Sequence, residues 1–349
     1  MLRLAVDERL SSPGAGEAIV ADVRLGCVGD ADPDAAAWRH APVLHYRALT
    51  GPLDSLTTDT PLLLFHRWRR HGGRLALEYH VIFSHEDAGT DLAGLLACWG
   101  HTVDIEWVFR VTFDDAGQVL AEELQGPHHV TLPYRGGRAM GGHPVVQVAT
   151  LNGTFSDHPT CPYRVALAPA CAQPAGEPRE GVLQRFPWIY RVSAQEVLRQ
   201  VPLESPPSAD SPAPADPRSY VFLQWHRRGG PAVPLEAGVR VGNSWYTSAW
   251  GRRALGFTDP DAESTAVKVP AGTTEEGIAA IALHALAAPA EPAEVRLVRA
   301  FVLDEDFRPR RPFTASGSSA DCRLTARAPR CVAWQRRAGS QAGGVGILL

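Results

Sequence analysis

Alternation of apolar and polar positions predicts a β-hairpin over residues 61–83, which read PLLLFHRWRRHGGRLALEYHVIF. Gly72 and Gly73 provide the two positive-φ positions of a tight turn. The register that follows pairs Arg67 with Glu78, Phe65 with His80 and Trp68 with Leu77. One face of the hairpin is apolar and is expected in the core, carrying Leu64, Trp68, Leu75, Leu77, Tyr79 and Val81.

A second hairpin is predicted over residues 104–125, with its turn at residues 114–117, which read DDAG. The first strand of this hairpin alternates clearly. One predicted face carries Ile105, Trp107, Phe109, Val111 and Phe113, and the other carries Asp104, Glu106, Val108 and Arg110.

The rest of the chain contains further strand patterns, at residues 145–151, 220–225, 239–250 and 295–303. Three short helices are predicted, at 91–99, from Ser193 towards residue 201, and after the capping box at Thr273. The fold class is therefore mostly β, β-sandwich-like, with a few short helices, and with two β-rich domains as an option.

A proline-, serine- and alanine-rich stretch divides the chain, reading PLESPPSADSPAPADP from Pro202 to Pro217. We predict four segments: a β-rich domain carrying the chemistry, a linker or loop, a second β-rich domain with one helix, and a Gly/Ser/Arg-rich tail that is loosely held. Their bounds are 1–201, 202–218, 219–314 and 315–349.

Composition excludes some classes of partner. The chain is 45% hydrophobic and 21% charged with a net charge of −4, as expected of a soluble protein without affinity for nucleic acid. No run approaches the ~20 apolar residues of a membrane span. The start has no apolar signal-peptide region, so we expect a cytoplasmic protein, and the arginine-rich, lysine-poor usage is typical of a GC-rich, bacterial genome. The oligomeric state is left open.

The six cysteines include two close pairs and no CxxC motif. Either Cys161 with Cys171 or Cys322 with Cys331 is close enough in sequence to close a short disulfide loop. A thiolate zinc ribbon is not indicated.

Histidines are concentrated in the first half, where eleven of the thirteen lie between His40 and His158. Carboxylates are interleaved with them: Glu78, Glu86, Asp87, Asp91, Asp104, Glu106 and Asp157. Histidine is the commonest metal ligand and the usual proton shuttle near neutral pH, so this half is the expected site of chemistry.

Asp104 and Glu106 are two residues apart on one strand, so their side chains point the same way with Cβ atoms roughly 7 Å apart. Such a pair suits metal binding or general acid–base work. The alternative is a solvated face on which Arg110 is the counter-charge.

Residues 84–91, which read SHEDAGTD, join a buried strand to a helix. His85, Glu86 and Asp87 are candidates for metal binding or proton transfer there. The alternative is a turn in which Asp87 or Asp91 caps the helix.

Two histidine turns follow glycines: His128-His129 after Gly126-Pro127, and His143 after Gly141-Gly142. Imidazoles at such positions are available to zinc or iron. The alternative is that each histidine is an ordinary surface or core residue that forms hydrogen bonds and binds no metal.

Aromatic residues of the second half form another candidate, a binding platform of Trp225, Trp245, Tyr246 and Trp250. The alternative is that they belong to the β core.

Residues 104–149 resemble the Vps62-like group of β-rich proteins. The stretch DIEWV from Asp104 is similar to that group's D-W-E-x-V strand, and HPVVQVA from His143 is similar to its H-P-V-V-Y-V-A strand. Ile105 stands where the group has tryptophan, and residues 151–155 lack its G-S-H. The resemblance implies a β-sandwich core with a polar cluster of Asp104, Glu106, His128 and His143.

The leading hypothesis is an enzyme that acts on a small polar molecule as a hydrolase or a lyase/isomerase. Glu106 is the predicted general base, His85 the acid, and Asp104 a third catalytic group. A divalent metal, with zinc favoured, would be held by His128, His129, His143, Asp104, Glu86 and Asp87. Substrate would be bound by Arg110, Trp245, Tyr246 and Trp250.

The same groups are also suited to acid–base chemistry with no metal. The second hypothesis is a non-catalytic module that binds carbohydrate or a lipid headgroup, and the third is an accessory protein. No P-loop or GxGxxG fingerprint follows a strand, so no nucleotide or flavin is indicated.

Overall fold

The computed structural model describes residues 34–47, 59–86, 91–139, 141–208, 210–229, 233–258, 264–319 and 321–337. Four α-helices occur in these ranges: α1 (Ala35–Arg39), α2 (Leu92–Trp99), α3 (Gly181–Arg185) and α4 (Trp188–Gln200). The strands of the first half are β1 (Val43–His45), β2 (Pro61–His71), β3 (Arg74–Phe83), β4 (Asp104–Phe113), β5 (Val119–Gly126), β6 (Val130–Pro133), β7 (Arg138–Ala139), β8 (His143–Val148), β9 (Phe155–Ser156), β10 (Arg164–Val165) and β11 (Pro169–Ala172). Those of the second half are β12 (Tyr220–Gly229), β13 (Leu235–Val241), β14 (Ser244–Thr247), β15 (Ser264–Lys268), β16 (Ile278–Ala285), β17 (Ala293–Phe301), β18 (Gly317–Ser319), β19 (Asp321–Leu324) and β20 (Arg330–Arg336).

The predicted mostly-β fold is confirmed, with two sheets in each half. In the first half a sheet of order β10-β1-β8-β7, with β9 also paired to β8, packs on a sheet of order β11-β2-β3-β4-β5-β6. Their shared core includes Leu64, Tyr79, Phe83, Phe109 and Phe155. Burial of these large apolar side chains is the main force that holds the two sheets together.

The β2–β3 hairpin forms in the predicted register. Arg67 lies opposite Glu78, Phe65 opposite His80, and Trp68 opposite Leu77. Gly72 and Gly73 both have positive φ, as the turn requires. One residue of the predicted core face differs, because Leu75 lies at the hairpin tip and is 45% exposed.

Strand β4 contains a bulge that the alternating pattern does not reveal. The pairing changes from Tyr79 with Phe109 to His80 with Trp107, which leaves Val108 as the extra residue. The predicted common face of Asp104, Glu106 and Arg110 is therefore wrong. Asp104 and Glu106 pair with Phe83 and Val81 of the first core, whereas Arg110 pairs with Glu78 on the opposite face of the sheet.

The second half is also a pair of sheets, of order β15-β12-β17-β19 and β14-β13-β16-β20-β18. Its core contains Trp225, Phe257, Ile281 and Trp334 among others. A disulfide joins Cys322 on β19 to Cys331 on β20 and so links the two sheets. The other close pair is not bonded, since Cys161 and Cys171 are both free thiols.

Three predictions for the second half and the segment before it are wrong. The run after Thr273 is strand β16, hydrogen-bonded on both sides to β13 and β20, and only a 3-10 turn, Glu275–Gly277, follows the capping box. A run of Ala, Ile and Leu fits the periodicity of a helix as well as that of a buried strand, so only its pairing with neighbouring strands shows that it is a strand. Helix α4 begins at Trp188, so Ser193 lies inside it. The segment expected to be a loose tail contains strands β18–β20. It is held in place because its Trp334 is fully buried in the core of the second half.

A third core joins the halves. Phe65, Ile82 and Ile105 of the first half pack with Phe222 and Phe301 of the second. At the same boundary the Thr265 hydroxyl donates to the Ala97 carbonyl of α2 at 2.7 Å. The predicted limits of the first domain, the linker and the second domain stay a prediction. Within the described ranges, no helix has the length and apolar character needed to cross a membrane.

Candidate functional site

The most chemically unusual cleft lies at the start of β4 and has a volume of about 300 Å³. Asp104 and Glu106 point to the side of the sheet that faces the loop after β8. The polar residues that line the cleft are Glu86, His101, Asp104, Glu106, Gln125, His129, Asn152 and Arg179.

Gly153 closes one side of the carboxylate pair. It has a φ of +56°, and a Cβ atom there would overlap Oδ2 of Asp104 and come within 3.1 Å of Cγ of Glu106. Only glycine combines this φ with so close an approach of backbone to side chain. The loop is further held by Thr150 and Thr154, whose hydroxyls are 2.6 Å apart.

The two carboxyls both have raised pKa values. Burial raises the pKa of Asp104 well above its ordinary range, and the negative charge of Glu106 raises it further. Burial also raises the pKa of Glu106, against the opposing effects of a hydrogen bond from Gln125 and the charge of Arg179. Because the charge of Glu106 disfavours ionisation of Asp104, a proton held by one of the two carboxyls removes their repulsion.

A chain of side chains connects Glu106 to solvent. Gln125 Nε2 donates to Glu106 Oε2 at 2.5 Å and lies 2.6 Å from Nδ1 of His129. Asn152 Nδ2 is 2.9 Å from the other ring nitrogen, Nε2, of His129. The His129 ring itself is 48% exposed and 3.7 Å from Glu106 Oε2. His129 is thus a solvent-accessible imidazole held beside the partly buried carboxylate of Glu106.

A second polar group, formed by Arg179, Glu180 and His101, lies next to the carboxylate pair. Arg179 donates through one NH group to the Ile105 carbonyl at 2.8 Å and through Nε to Glu180 at 3.0 Å. Glu180 is buried, and although burial raises its pKa, the neighbouring His101 and the charge of Arg179 lower it overall. Arg179 therefore brings a positive charge close to the carboxylate pair.

The structure brings four of the predicted site residues into this cleft: Asp104, Glu106, Glu86 and His129. Asp87 lies outside the described residues. Asp91 is the N-cap of α2, accepting from Gly94 N at 2.7 Å, which is the capping alternative for that turn.

Three predicted histidines are not brought to the carboxylate pair. His85 is buried and 2.9 Å from the Ser84 hydroxyl, with Glu196 at 3.9 Å. His128 is exposed at a φ of 60° and does not line the cleft. His143 lies at the other end of β8 from the Gly153 loop, with Nδ1 2.8 Å from the Ala41 carbonyl. Six strand residues span roughly 20 Å, which explains the separation.

Arg110 is also outside the cleft, on the far face of the sheet. It donates to Glu78 at 2.6 and 2.8 Å, and to Glu123 at 3.1 Å. Its guanidinium lies over the ring of Trp107. The bulge at Val108 is the reason, since it turns Arg110 away from Asp104 and Glu106.

The aromatic platform of the second half is not assembled as predicted. Trp225 is buried, and Tyr246 packs against the core. Trp250 lies in the turn after β14. Of the four aromatic residues, Trp245 is the one that lines a surface groove of about 460 Å³. Glu236, His284 and Arg330 line the same groove.

Three polar residues of the cleft are not among the predicted site residues: Gln125, Asn152 and Arg179. Gln125 lies at the end of the second hairpin, and Asn152 with Gly153 forms an Asn-Gly dipeptide, which is a turn signal in the sequence. Arg179 comes from a distant segment, and no spacing indicates it. Among the described residues there is no group of three or more histidine, cysteine, aspartate or glutamate side chains arranged to hold a metal ion.

Comparison with known proteins identifies no family. No family model matches the chain, and no curated protein matches it. One solved structure with limited similarity is the crystal structure of Necrosis and Ethylene inducing Protein 2 from the causal agent of cocoa's Witches Broom disease. It is 13% identical over 50% of this chain and 82% of its own, with a TM-score of 0.27. That score is too low to infer a common topology. The Vps62-like resemblance stays a prediction.

Proposed function

We propose that the cleft at the start of β4 is the active site of an enzyme that acts on a small polar molecule, by hydrolysis or by a lyase or isomerase step. The observation that carries the proposal is the adjacent pair of buried Asp104 and partly buried Glu106, with raised pKa values, at the wall of an open cleft. Perturbed carboxyls in a cleft are typical of acid–base sites.

In this proposal Glu106 is the general base, and Asp104 keeps the proton that allows Glu106 to stay ionised. His129 takes the role of acid in place of His85, because its ring is exposed and lies 3.7 Å from Glu106, whereas His85 is buried against Ser84. Arg179 stabilises negative charge that develops on the substrate.

A divalent cation at the pair would need amide and solvent oxygens to complete its ligands, since the described carboxylates and histidines form no three-residue metal group. Oδ2 of Asp104 is buried and has no hydrogen-bond partner among the described residues. The groups around it offer oxygen atoms: the carboxylates of Glu106 and Glu86 and the amides of Gln125 and Asn152. Oxygen donors favour a hard cation such as Mg²⁺ or Ca²⁺ over the zinc that the histidine pattern suggested. A bound cation would polarise an oxygen of the substrate.

The test is a screen of hydrolase and lyase substrates with and without added Mg²⁺, Ca²⁺ and Zn²⁺, followed by kinetics of variants. Glu106→Gln is expected to lower kcat at least ~100-fold. The control is Glu291→Gln, an exposed residue of the loop before β17, which should leave kcat unchanged. Unchanged activity of the Glu106 variant would exclude its role as base.

A second candidate function is carbohydrate binding on the outer face of the β14-β13-β16-β20 sheet. Trp245 is 44% exposed and lies against Gly238, whose missing side chain gives the indole room, since a Cβ atom there would lie 3.3 Å from the ring. Buried Glu236 and half-buried His284, 3.6 Å apart, provide polar groups beside it. An exposed indole next to polar side chains is the arrangement by which sugar rings are stacked and hydrogen-bonded.

This candidate is tested by a glycan array of wild type, Trp245→Ala and Trp188→Ala. Trp188 is the matched control because it is 43% exposed but lies on α4. Binding that is lost only with Trp245 would support the module. A blank wild-type array would remove the support for it.

A further inference from the structure

A second cleft lies between the two halves of the chain and shares no lining residue with the carboxylate cleft. Its volume is about 320 Å³, and its walls are β2, the loop after β11 and the end of β12. The charged and polar residues that line it are Arg67, Arg69, Gln173, Glu177, His226 and Arg227. Clefts between halves of a protein are common ligand sites.

Positive charge is in excess at this cleft. One buried carboxylate, Glu78, faces three guanidinium groups. Arg67 lies 2.6 Å from its Oε1, and Arg110 and Arg69 lie 2.6 and 3.6 Å from its Oε2. Burial would raise the pKa of Glu78, but His80, Arg67 and Arg110 hold it far below its ordinary range, so the carboxylate stays charged. Glu123 also pairs with Arg110, at 3.1 Å, so two carboxylates face three guanidinium groups and one positive charge remains in excess.

The other carboxylate at the cleft does not supply the missing charge. Glu177 lines the wall, but it is bound to Arg185 at 2.7 Å. The side chain of Arg69 lines the cleft, is 39% exposed and is the most distant of the three from Glu78, at 3.6 Å. Arg227 adds a further guanidinium from the opposite wall, on β12.

Gln173 adds a second, independent observation. It is 94% buried, since its exposed fraction is 6%, and its Nε2 donates to the Glu177 carbonyl. Its Oε1 is buried and has no hydrogen-bond partner among the described residues. A buried acceptor at the wall of a basic cleft calls for a ligand that carries a donor as well as negative charge.

We propose that this cleft binds the phosphate group of a small hydroxyl-bearing phosphate monoester. Arg67, Arg69 and Arg227 bind the phosphate oxygens, and Oε1 of Gln173 accepts a hydrogen bond from a ligand hydroxyl. The planar guanidinium fork matches the oxygens of phosphate, and arginine is the usual residue for this recognition. The proposal stands independently of the chemistry at Asp104 and Glu106.

Isothermal titration calorimetry in a phosphate-free buffer tests it, with inorganic phosphate and glycerol 3-phosphate as the two probes. Both are expected to bind the wild-type protein, and glycerol 3-phosphate more tightly because it carries hydroxyls. Arg69→Gln and Arg227→Gln are each expected to weaken binding at least ~10-fold, the usual loss for one charge-assisted contact. Raising the ionic strength should weaken binding in the wild type.

The control is Arg74→Gln, an exposed arginine of the same hairpin that does not line the cleft. It should keep wild-type affinity, and circular dichroism checks that every variant is folded. Arg69→Lys keeps the charge and should lose less affinity than Arg69→Gln. Absence of binding for both probes, or an equal loss in the Arg74 variant, would overturn the proposal. Equal affinity for the two probes would overturn the role of Gln173.

Discussion

The α-carbon of Gly153 stands so close to Asp104 that any side chain at position 153 would overlap the carboxyl oxygen Oδ2. The loop after β8 thus seals the carboxylate pair from one side and keeps Asp104 buried. Burial is the largest cause of the raised pKa of Asp104. The backbone of the loop at Gly153 therefore helps to keep the Asp104 carboxyl on β4 protonated.

Gly153→Ala is expected to disrupt the carboxylate pair and to destabilise the protein by more than backbone strain alone. Gly72→Ala is the matched control, because Gly72 has a φ of +57° and a Cβ atom added there would meet no heavy atom within 4 Å. The control should cost ~1 kcal/mol, the strain of an alanine in a left-handed conformation. Chemical denaturation of both variants gives the difference. Equal losses would show that the contact with Asp104 contributes nothing.

Asp104→Asn is expected to stabilise the protein at alkaline pH. A carboxyl whose folded pKa is raised contributes stability that is complete below its unfolded pKa and is lost as pH rises through the folded value. An amide carries no such charge but can still donate a hydrogen bond to Glu106. The Tm, measured from pH 4 to pH 9, should fall as the pH rises in the wild type and should change less with pH in the variant. Parallel curves would contradict the raised pKa.

Glu78→Gln is expected to destabilise the protein strongly, by ~3–5 kcal/mol, because it leaves Arg67 and Arg110 without their shared carboxylate. The lowered pKa of Glu78 means that its contribution is present above the unfolded pKa and is lost as pH falls towards the folded value. The free energy of unfolding should therefore decrease less steeply with falling pH in the variant than in the wild type. Urea denaturation at several pH values measures both effects.

The control for that experiment is Glu123→Gln. Glu123 also pairs with Arg110, at 3.1 Å, but its side chain is 25% exposed. Replacing it should cost only ~0–1 kcal/mol, as for other pairs near the surface. A loss as large as that of Glu78→Gln would contradict the central place of Glu78 in the cluster.

Replacing Cys322 and Cys331 together with serine is expected to lower the free energy of unfolding by ~2–3 kcal/mol, the value for a loop of this size. The two cysteines are nine residues apart and tie β19 to β20. Cys171→Ser, at a free thiol, should have a smaller effect. Thermal melts with and without a reducing agent provide the check, since a reductant should lower the Tm of the wild type and leave the double variant unchanged.

Local sequence pattern predicts the parts of the fold that depend on neighbours in the chain. The pair Gly72-Gly73 fixes the register of β2 and β3, and the helix predicted over 91–99 is α2, which Gly100 ends in a left-handed conformation. The bulge at Val108 depends on how β4 meets β3, so alternation alone places Arg110 on the wrong face. The apolar run of β16 wrongly predicts a helix because it fits both periods until its strand partners are known.

The candidate site divides in the same way. Asp104 and Glu106 are predictable, because a spacing of two residues on one strand makes their side chains parallel. Arg179, Asn152 and the loop at Gly153 reach the pair from segments far away in sequence. His143 shows the limit of counting histidines, because its strand carries it to the far end of the sheet from the carboxylates.

The most direct test of the account is a carbon-13 NMR titration of the side-chain carboxyls in the wild type and in Glu106→Gln. We predict that Asp104 of the wild type titrates well above the ordinary aspartate value of about 3.9, and that its midpoint falls when the charge of Glu106 is removed. An ordinary midpoint for Asp104, or one that does not change in the variant, would contradict the coupled pair on which the proposed active site rests.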